Sequence, residues 1–148
     1  MKKSMKTYVI TVAKTFPAYH PRAGQPTGFR RAILAGEKIH TIRKNYPLWA
    51  KRIKEVEEGK AELSLREWSG KPYRSKQVEF LRLGREHGVG VQPFKNFDGF
   101  KSQEGHIGGH IIICQQDGLS FSDFVSWFVN HDGSTVACIH FTPFRYPA

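Results

Sequence analysis

Segment 60–83 predicts a β-hairpin, and this prediction constrains the fold more than any other feature of the chain. Two runs in which apolar and polar residues are mixed, Lys60–Trp68 and Tyr73–Leu83, flank Ser69-Gly70-Lys71-Pro72, whose residues are typical of a tight turn. In the second run the apolar residues change parity, which indicates a bulge near Phe80. The chain must therefore contain a sheet with antiparallel strands.

Shorter elements are predicted on both sides of this hairpin. Strands are predicted over Lys6–Ala13, Lys38–Arg43, His110–Gln116 and Thr135–Phe144, and helices over Gly28–Gly36, Pro47–Glu58 and Ser120–Asn130. Because strands and helices do not alternate strictly and no linker interrupts the chain, residues 1–148 are predicted to form one α+β domain. We expect a small β-barrel of five to six strands with two or three short flanking helices. Loops rich in glycine and proline are predicted near 14–28 and 84–106.

Charge is unevenly distributed along the 148 residues. The net charge is +10, but residues 1–85 hold 20 basic and 7 acidic side chains, whereas residues 86–148 hold 3 and 6. The first part should give the folded domain a basic face, and the usual partner of such a face is a polyanion such as nucleic acid. The alternative is a charged surface that serves solubility only.

Cysteine content and the first residues bear on location. The chain has two cysteines, Cys114 and Cys138, in apolar runs, so they are predicted to be reduced core thiols rather than a disulfide framework. No secretory leader is recognisable, and the apolar run Tyr8–Ala13 is too short for a signal core or a membrane span. We expect a cytoplasmic protein that makes no membrane contact.

Two motifs carry the most specific signal. In residues 29–43 a helix that ends Ile-Leu-Ala-Gly is followed by Gly-x-Lys-x-x-Thr-x-Arg, and in residues 116–124 Asp117 stands just before a helix that begins at Ser120. In order and spacing, both motifs resemble the signatures of the ASCH domain family of PUA-like β-barrels. The resemblance covers roughly residues 29–83 and 107–145. The loops near 14–28 and 84–106 are insertions relative to compact members.

The resemblance implies a PUA-like barrel that binds RNA or a nucleobase. Some compact bacterial members are acetylcytidine amidohydrolases that use a Lys, a Thr and a Glu. These positions fall on Lys38, Thr41 and Asp117 here, and the family's Arg falls on Arg43. The chain departs from the enzymes at Asp117, because aspartate reaches about 1.5 Å less far than glutamate. A misplacement of this size can cost about a hundredfold in rate, so the backbone must bring Asp117 closer if the activity is retained.

These residue types also suit amide hydrolysis on chemical grounds. A turn or bulge after Gly36 would bring Lys38 close to Thr41, and a desolvated, neutral lysine can take the hydroxyl proton as Thr41 attacks an amide carbonyl. Asp117 can orient the lysine or pass the proton to the leaving amine, and Arg43 can stabilise the oxyanion. Taken singly, Lys38 can equally be a solvated surface lysine, and Asp117 an acid that satisfies the helix dipole.

Basic and aromatic residues are interleaved around the hairpin turn, an arrangement that suits phosphate contacts and base stacking. They are Arg66, Trp68, Lys71, Tyr73, Arg74 and Lys76. Arg66 and Trp68 are candidates for substrate binding, and the other four for a nucleic-acid surface. The alternative is an amphipathic hairpin whose tryptophan covers the edge of the barrel.

No metal and no cofactor are expected. In an extended segment His106 and His110 lie too far apart to share one ion, and Cys114 is most simply a core thiol. Gly88-Val89-Gly90 lacks the third glycine and the helix of a dinucleotide-binding loop. The sequence favours a metal-free amidohydrolase acting on an acylated cytidine, with a non-catalytic RNA-binding module as the alternative. A nucleoside or RNA is the partner in both cases, and a protein-interaction domain with a relic pocket is a third alternative.

Overall fold

The computed structural model describes residues 5–95, 113–128 and 134–146, and it has the predicted α+β class. The strands of the described part are β1 (Lys6–Thr11), β2 (His40–Arg43), β3 (Ala61–Trp68), β4 (Gln77–Leu83), β5 (Gly90–Phe94) and β6 (Val136–His140). The helices are α1 (Phe29–Leu34), α2 (Tyr46–Glu57) and α3 (Phe121–Trp127), with a 3₁₀ turn at Arg85–His87 and a helical turn at 113–116.

The strands form two three-stranded sheets, in the orders β1-β3-β4 and β2-β6-β5. The predicted hairpin is confirmed, because β3 and β4 pair antiparallel. Their register shifts where Leu65 faces Leu81 and Arg66 faces Glu79, so Phe80 is the extra residue of the predicted bulge. β1 pairs with β3 in parallel, and β6 pairs antiparallel with both β2 and β5.

Helix α2 joins the two sheets through one core. It contacts β3 in the first sheet and both β5 and β6 in the second. Ile53 and Val56 of this helix are fully buried, as are Leu65 of β3 and Ile139 of β6. Burying an aliphatic side chain of this size stabilises the fold by about 1.5–3 kcal/mol. The packing of α2 therefore holds β6, and β2 that pairs with it, in place relative to the hairpin.

The prediction of a strand over His110–Gln116 is wrong for the part that the structure describes. Residues 113–116 are helical, and the backbone N–H groups of Asp117 and Leu119 close the turn on carbonyls within it. Gly118 follows with φ +84°, a left-handed conformation that ends helices and suits glycine. A short apolar run does not distinguish a strand from a buried helical turn.

The loop near 14–28 packs against α3. His20 is buried, with its Nε2 2.9 Å from the carbonyl oxygen of Asp123 and its ring against Phe16 and Trp127. The predicted loop near 84–106 is wrong for residues 90–94, because β5 pairs antiparallel with β6 there. Within the described residues, no helix is both long and apolar enough to cross a membrane.

Candidate active site

The turn that follows α1 carries Lys38 into the interior. Gly36 has φ +77°, in the left-handed region that glycine adopts readily. Beyond it, Glu37 and Lys38 both donate their backbone N–H groups to the carbonyl oxygen of Ala32, at 2.9 and 3.1 Å. The chain then enters β2, and Lys38 is only 2% exposed.

Asp117 reaches the same point from a distant part of the chain. It follows the helical turn at 113–116, and the carbonyl of Gln116 accepts a hydrogen bond from the backbone N–H of Ile39 at 2.9 Å. This bond holds the turn beside the start of β2. A Cβ at Gly118 would lie 3.2 Å from Cδ of Lys38. Glycine at this position therefore permits the turn and also leaves room for the lysine.

Lys38 and Asp117 form a buried ion pair. The lysine Nζ donates to Oδ1 of Asp117 at 3.0 Å and to its backbone carbonyl at 2.7 Å. The same Nζ lies 4.4 Å from the centre of the Phe29 ring, which is within the range of a cation–π contact. Asp117 therefore contacts Lys38 directly, although its side chain is one methylene shorter than that of glutamate.

Burial governs the ionisation of this pair. Desolvation lowers the pKa of Lys38, and the positive charge of Arg43 acts in the same direction, while Asp117 opposes both. Burial raises the pKa of Asp117, but the charge of Lys38 and the hydrogen bond from His40 outweigh it, so this pKa lies below its usual value. Asp117 is thus ionised at neutral pH, and Lys38 loses its proton more readily than an exposed lysine.

His40, which the sequence analysis missed, extends the pair into a buried chain of polar groups. Its Nδ1 lies 3.1 Å from Oδ1 of Asp117, and because an ionised carboxylate only accepts, Nδ1 carries the proton. Its Nε2 lies 2.6 Å from the hydroxyl of Tyr146, which is 2.6 Å from Oε1 of Gln116. The position of His40 inside the first motif could have indicated that it belongs to the site. Nothing in the sequence around Tyr146 indicates that it does.

A second buried histidine lies beside this chain. His140 of β6 pairs with His40 of β2, and their ring centres are 5.6 Å apart. Nε2 of His140 donates to Oε1 of Gln92 at 2.8 Å, whereas its Nδ1 is buried without a partner among the described residues. Burial lowers the pKa of His140 to about 3, and His40 contributes in the same direction. This ring is therefore neutral at physiological pH.

The four candidates from the motifs line one cavity of about 150 Å³. They are Lys38, Thr41, Arg43 and Asp117, and apolar side chains that include Phe29, Leu119 and Trp127 complete the walls. Arg43 donates from Nη2 to the carbonyl of Thr11 at 2.8 Å and from Nε to Oγ1 of Thr41 at 3.4 Å. Within the cavity Lys38 donates to Asp117, and the Thr41 hydroxyl accepts a hydrogen bond from Nε of Arg43.

The hairpin candidates lie outside this cavity. Trp68 and Tyr73 line an open groove of about 460 Å³ next to it. Arg66 donates to Oγ of Ser64 at 2.8 Å and to Oε1 of Gln77 at 3.4 Å, and it is part of neither wall as far as the structure describes them. The remaining bases of the hairpin turn are exposed: Lys71, Arg74 and Lys76.

The metal-ligand candidates give no site in the described ranges. Within 5–95, 113–128 and 134–146, no group of three or more His, Cys, Asp or Glu side chains could hold a metal ion. His106 and His110 lie outside these ranges. Cys114 and Cys138 are free and buried, and burial raises the pKa of Cys114 to about 12 and also raises that of Cys138.

Comparison of the chain with models of protein families, with curated proteins and with solved structures gives no significant match.

Proposed function

We propose that the chain is an ASCH-type domain with a PUA-like barrel, whose cavity binds an acylated cytidine and hydrolyses its N-acyl group without a metal ion. The observation that carries this proposal is the direct contact between Lys38 and Asp117 in a cavity that Thr41 and Arg43 also line. The Lys, Thr and acid of the family's enzymes correspond to these positions. The two sheets, joined through α2, would form the walls of the barrel.

The proposed reaction starts from the neutral form of Lys38, which burial favours. Lys38 takes the hydroxyl proton of Thr41 while the threonine oxygen bonds to the acyl carbon. The bond from that carbon to the exocyclic nitrogen of cytidine then breaks, and the proton passes from Lys38 to the leaving amine. Arg43 stabilises the oxyanion that forms in between. Water hydrolyses the acyl-threonine ester, which releases a carboxylic acid and restores Thr41.

Asp117 and His40 support the lysine in this scheme. The carboxylate of Asp117 accepts hydrogen bonds from Lys38 and from His40, so its position is fixed from two sides. It compensates the positive charge that Lys38 carries after proton transfer. Because Oδ1 already lies 3.0 Å from Nζ, the missing methylene of the glutamate is offset by the placement of the backbone.

A non-catalytic RNA-binding module is the second candidate, and one observation favours it. The Nζ of Lys38 donates to two oxygens of Asp117 and lies over the ring of Phe29, and all three contacts suit the charged ammonium. A lysine held in this form can bind a carbonyl or phosphate oxygen, but it cannot take a proton from Thr41. Turnover of substrate therefore separates the two candidates.

The test is liquid chromatography of acylated nucleosides incubated with the purified protein. The wild type should convert acetylcytidine to cytidine and acetate, EDTA should not change the rate, and acylated adenosine and guanosine should react more slowly. Lys38→Met keeps the apolar stem but removes the amine, so it should lose at least about 100-fold in rate. Lys54→Met, on the exposed side of α2, is the matched control and should retain the rate.

Two outcomes would contradict the hydrolase proposal. A wild type that releases no cytidine but binds acetylcytidine in a calorimeter would establish the binding module instead. A wild type that neither hydrolyses nor binds acetylated or unmodified cytidine or RNA would exclude both candidates.

A further inference from the structure

The cavity is too small for a whole nucleoside. At about 150 Å³ it holds the volume of about five water molecules, whereas sites that enclose a whole small-molecule ligand span roughly 300–1,000 Å³. A single heterocyclic ring with a small acyl group suits the smaller volume. The sugar, and anything attached to it, must then lie outside the cavity.

We propose that the adjoining groove is a second nucleotide subsite, in which a neighbouring base stacks on Tyr73 and Trp68. The substrate is then an acylated cytidine within an RNA strand rather than a free nucleoside. This inference rests on the proposed function of the cavity. The groove holds about 460 Å³, and Thr11, Val12, Ala13 and Arg43 line both spaces. An RNA strand can therefore pass from the cavity into the groove along a continuous wall.

The outer wall of the groove carries an aromatic surface that is open to stacking. Tyr73 is 89% exposed, and its ring centre lies 5.2 Å from that of Trp68. Its φ of +64° is uncommon for a bulky residue. Oγ of Ser75 holds the turn by accepting from the N–H of Gly70 at 2.9 Å and donating to the carbonyl of Lys71 at 2.8 Å. A strained turn that presents an aromatic ring to water suits a base-stacking site.

The charges of the groove suit the phosphate that links two nucleotides. Lys14 and Arg43 are the charged side chains among the described residues that line it, and no acidic side chain of that part does. Arg43 lies where the groove meets the cavity. Lys14 donates to the carbonyl of Ser69 near the hairpin turn. A phosphate between the two bases would thus lie between two cations and face no carboxylate of the wall.

The experiment compares kcat/KM for acetylcytidine with kcat/KM for the dinucleotides in which acetylcytidine is linked to adenosine on its 3′ or its 5′ side. For the wild type, one dinucleotide should be preferred over the nucleoside by about 5- to 150-fold, the range expected for one base stacked on an aromatic side chain. Tyr73→Ala should bring this ratio close to one, and Tyr73→Phe should preserve it. Phe121→Ala, which removes an exposed aromatic ring that lines neither space, should keep the wild-type ratio.

The outcomes distinguish a failure of the subsite from a failure of the proposed function. Equal kcat/KM for nucleoside and both dinucleotides in the wild type would overturn the subsite and leave the hydrolase intact. If none of the substrates reacts, the affinities of the wild type and of Tyr73→Ala for the same three compounds test whether the subsite exists. Tighter binding of a dinucleotide that depends on Tyr73 supports the subsite without hydrolysis, and equal or absent binding overturns it.

Discussion

The Nζ of Lys38 lies 3.0 Å from the carboxylate and 2.7 Å from the backbone carbonyl of Asp117, although the two residues are 79 positions apart in the chain. Two backbone features produce this contact. The turn after α1 folds Lys38 back onto Ala32, and the hydrogen bond between Ile39 and Gln116 holds the turn at 113–116 beside the start of β2. The lysine is thereby bonded to both the side chain and the backbone of the acid.

Removing the hydroxyl of Tyr146 tests whether the buried polar chain stabilises the fold. Tyr146→Phe keeps the ring but leaves Nε2 of His40 and the side chain of Gln116 without this partner. The free energy of unfolding should fall by about 1–3 kcal/mol, measured by urea denaturation. Tyr19→Phe is the control, because that hydroxyl is bonded to a backbone carbonyl at an exposed position, and its effect should stay within about 0.5 kcal/mol. Equal effects in the two variants would contradict a stabilising role for the chain.

His140 should make the fold sensitive to acid. Its pKa is about 6.5 in the unfolded chain and about 3 in the folded one, so between these values the unfolded chain binds a proton that the folded chain does not. The free energy of unfolding should therefore fall as the pH drops below about 6.5, by up to about 1.4 kcal/mol per pH unit. Denaturation curves between about pH 6.5 and 5.5 lie above the range in which the unfolded chain protonates Asp117, whose pKa is lowered by folding. His140→Gln should flatten the slope, and an unchanged slope would show that His140 does not cause it.

Cys114 and Cys138 should be unreactive in the folded protein. Both thiols are buried and have raised pKa values, so they form very little thiolate near neutral pH. A thiol reagent such as DTNB should label neither of them within minutes in native buffer, and it should label both after unfolding in guanidinium. Rapid labelling of the native protein would place at least one of these thiols at the surface.

The exposed lysine and arginine side chains of the hairpin turn should determine how RNA binding depends on salt. Each phosphate contact contributes about −0.7 to the slope of log K against log salt for a single strand. Lys71→Gln/Arg74→Gln should therefore make the slope shallower by up to about 1.4, measured by fluorescence anisotropy with a labelled oligocytidine. Lys51→Gln/Lys54→Gln removes the same charge from α2 and should leave the slope close to that of the wild type. Equal changes in the two variants would exclude the hairpin as the RNA surface.

Elements with a local signal could be predicted from the sequence. The hairpin and its bulge at Phe80 follow from turn residues and apolar parity, and Ser120 caps α3 by accepting from the N–H of Asp123, as the Ser-x-x-Asp pattern indicates. The turn at 113–116 could not be distinguished from a strand, because its apolar run is short and has no clear period.

Contacts between distant segments could not be predicted from local pattern. The local sequence does not indicate that β1 pairs in parallel with β3, nor that Tyr146 contacts His40. The two motifs did indicate that Lys38 and Asp117 belong to one site. They could not show that the backbone carbonyl of the acid takes part in the contact.

The most direct test of the proposed reaction is the rate at which variants at position 117 release cytidine from acetylcytidine. The carboxylate of Asp117 already contacts Lys38 and His40, so the wild type should be active. Asp117→Glu should be no faster, because an added methylene moves the carboxylate away from one of these two partners. Asp117→Asn keeps the shape without the charge and should lose at least about 100-fold. Circular dichroism checks that each variant is folded. An inert wild type beside an Asp117→Glu variant that releases cytidine would contradict the proposal and show that the shorter acid has abolished catalysis.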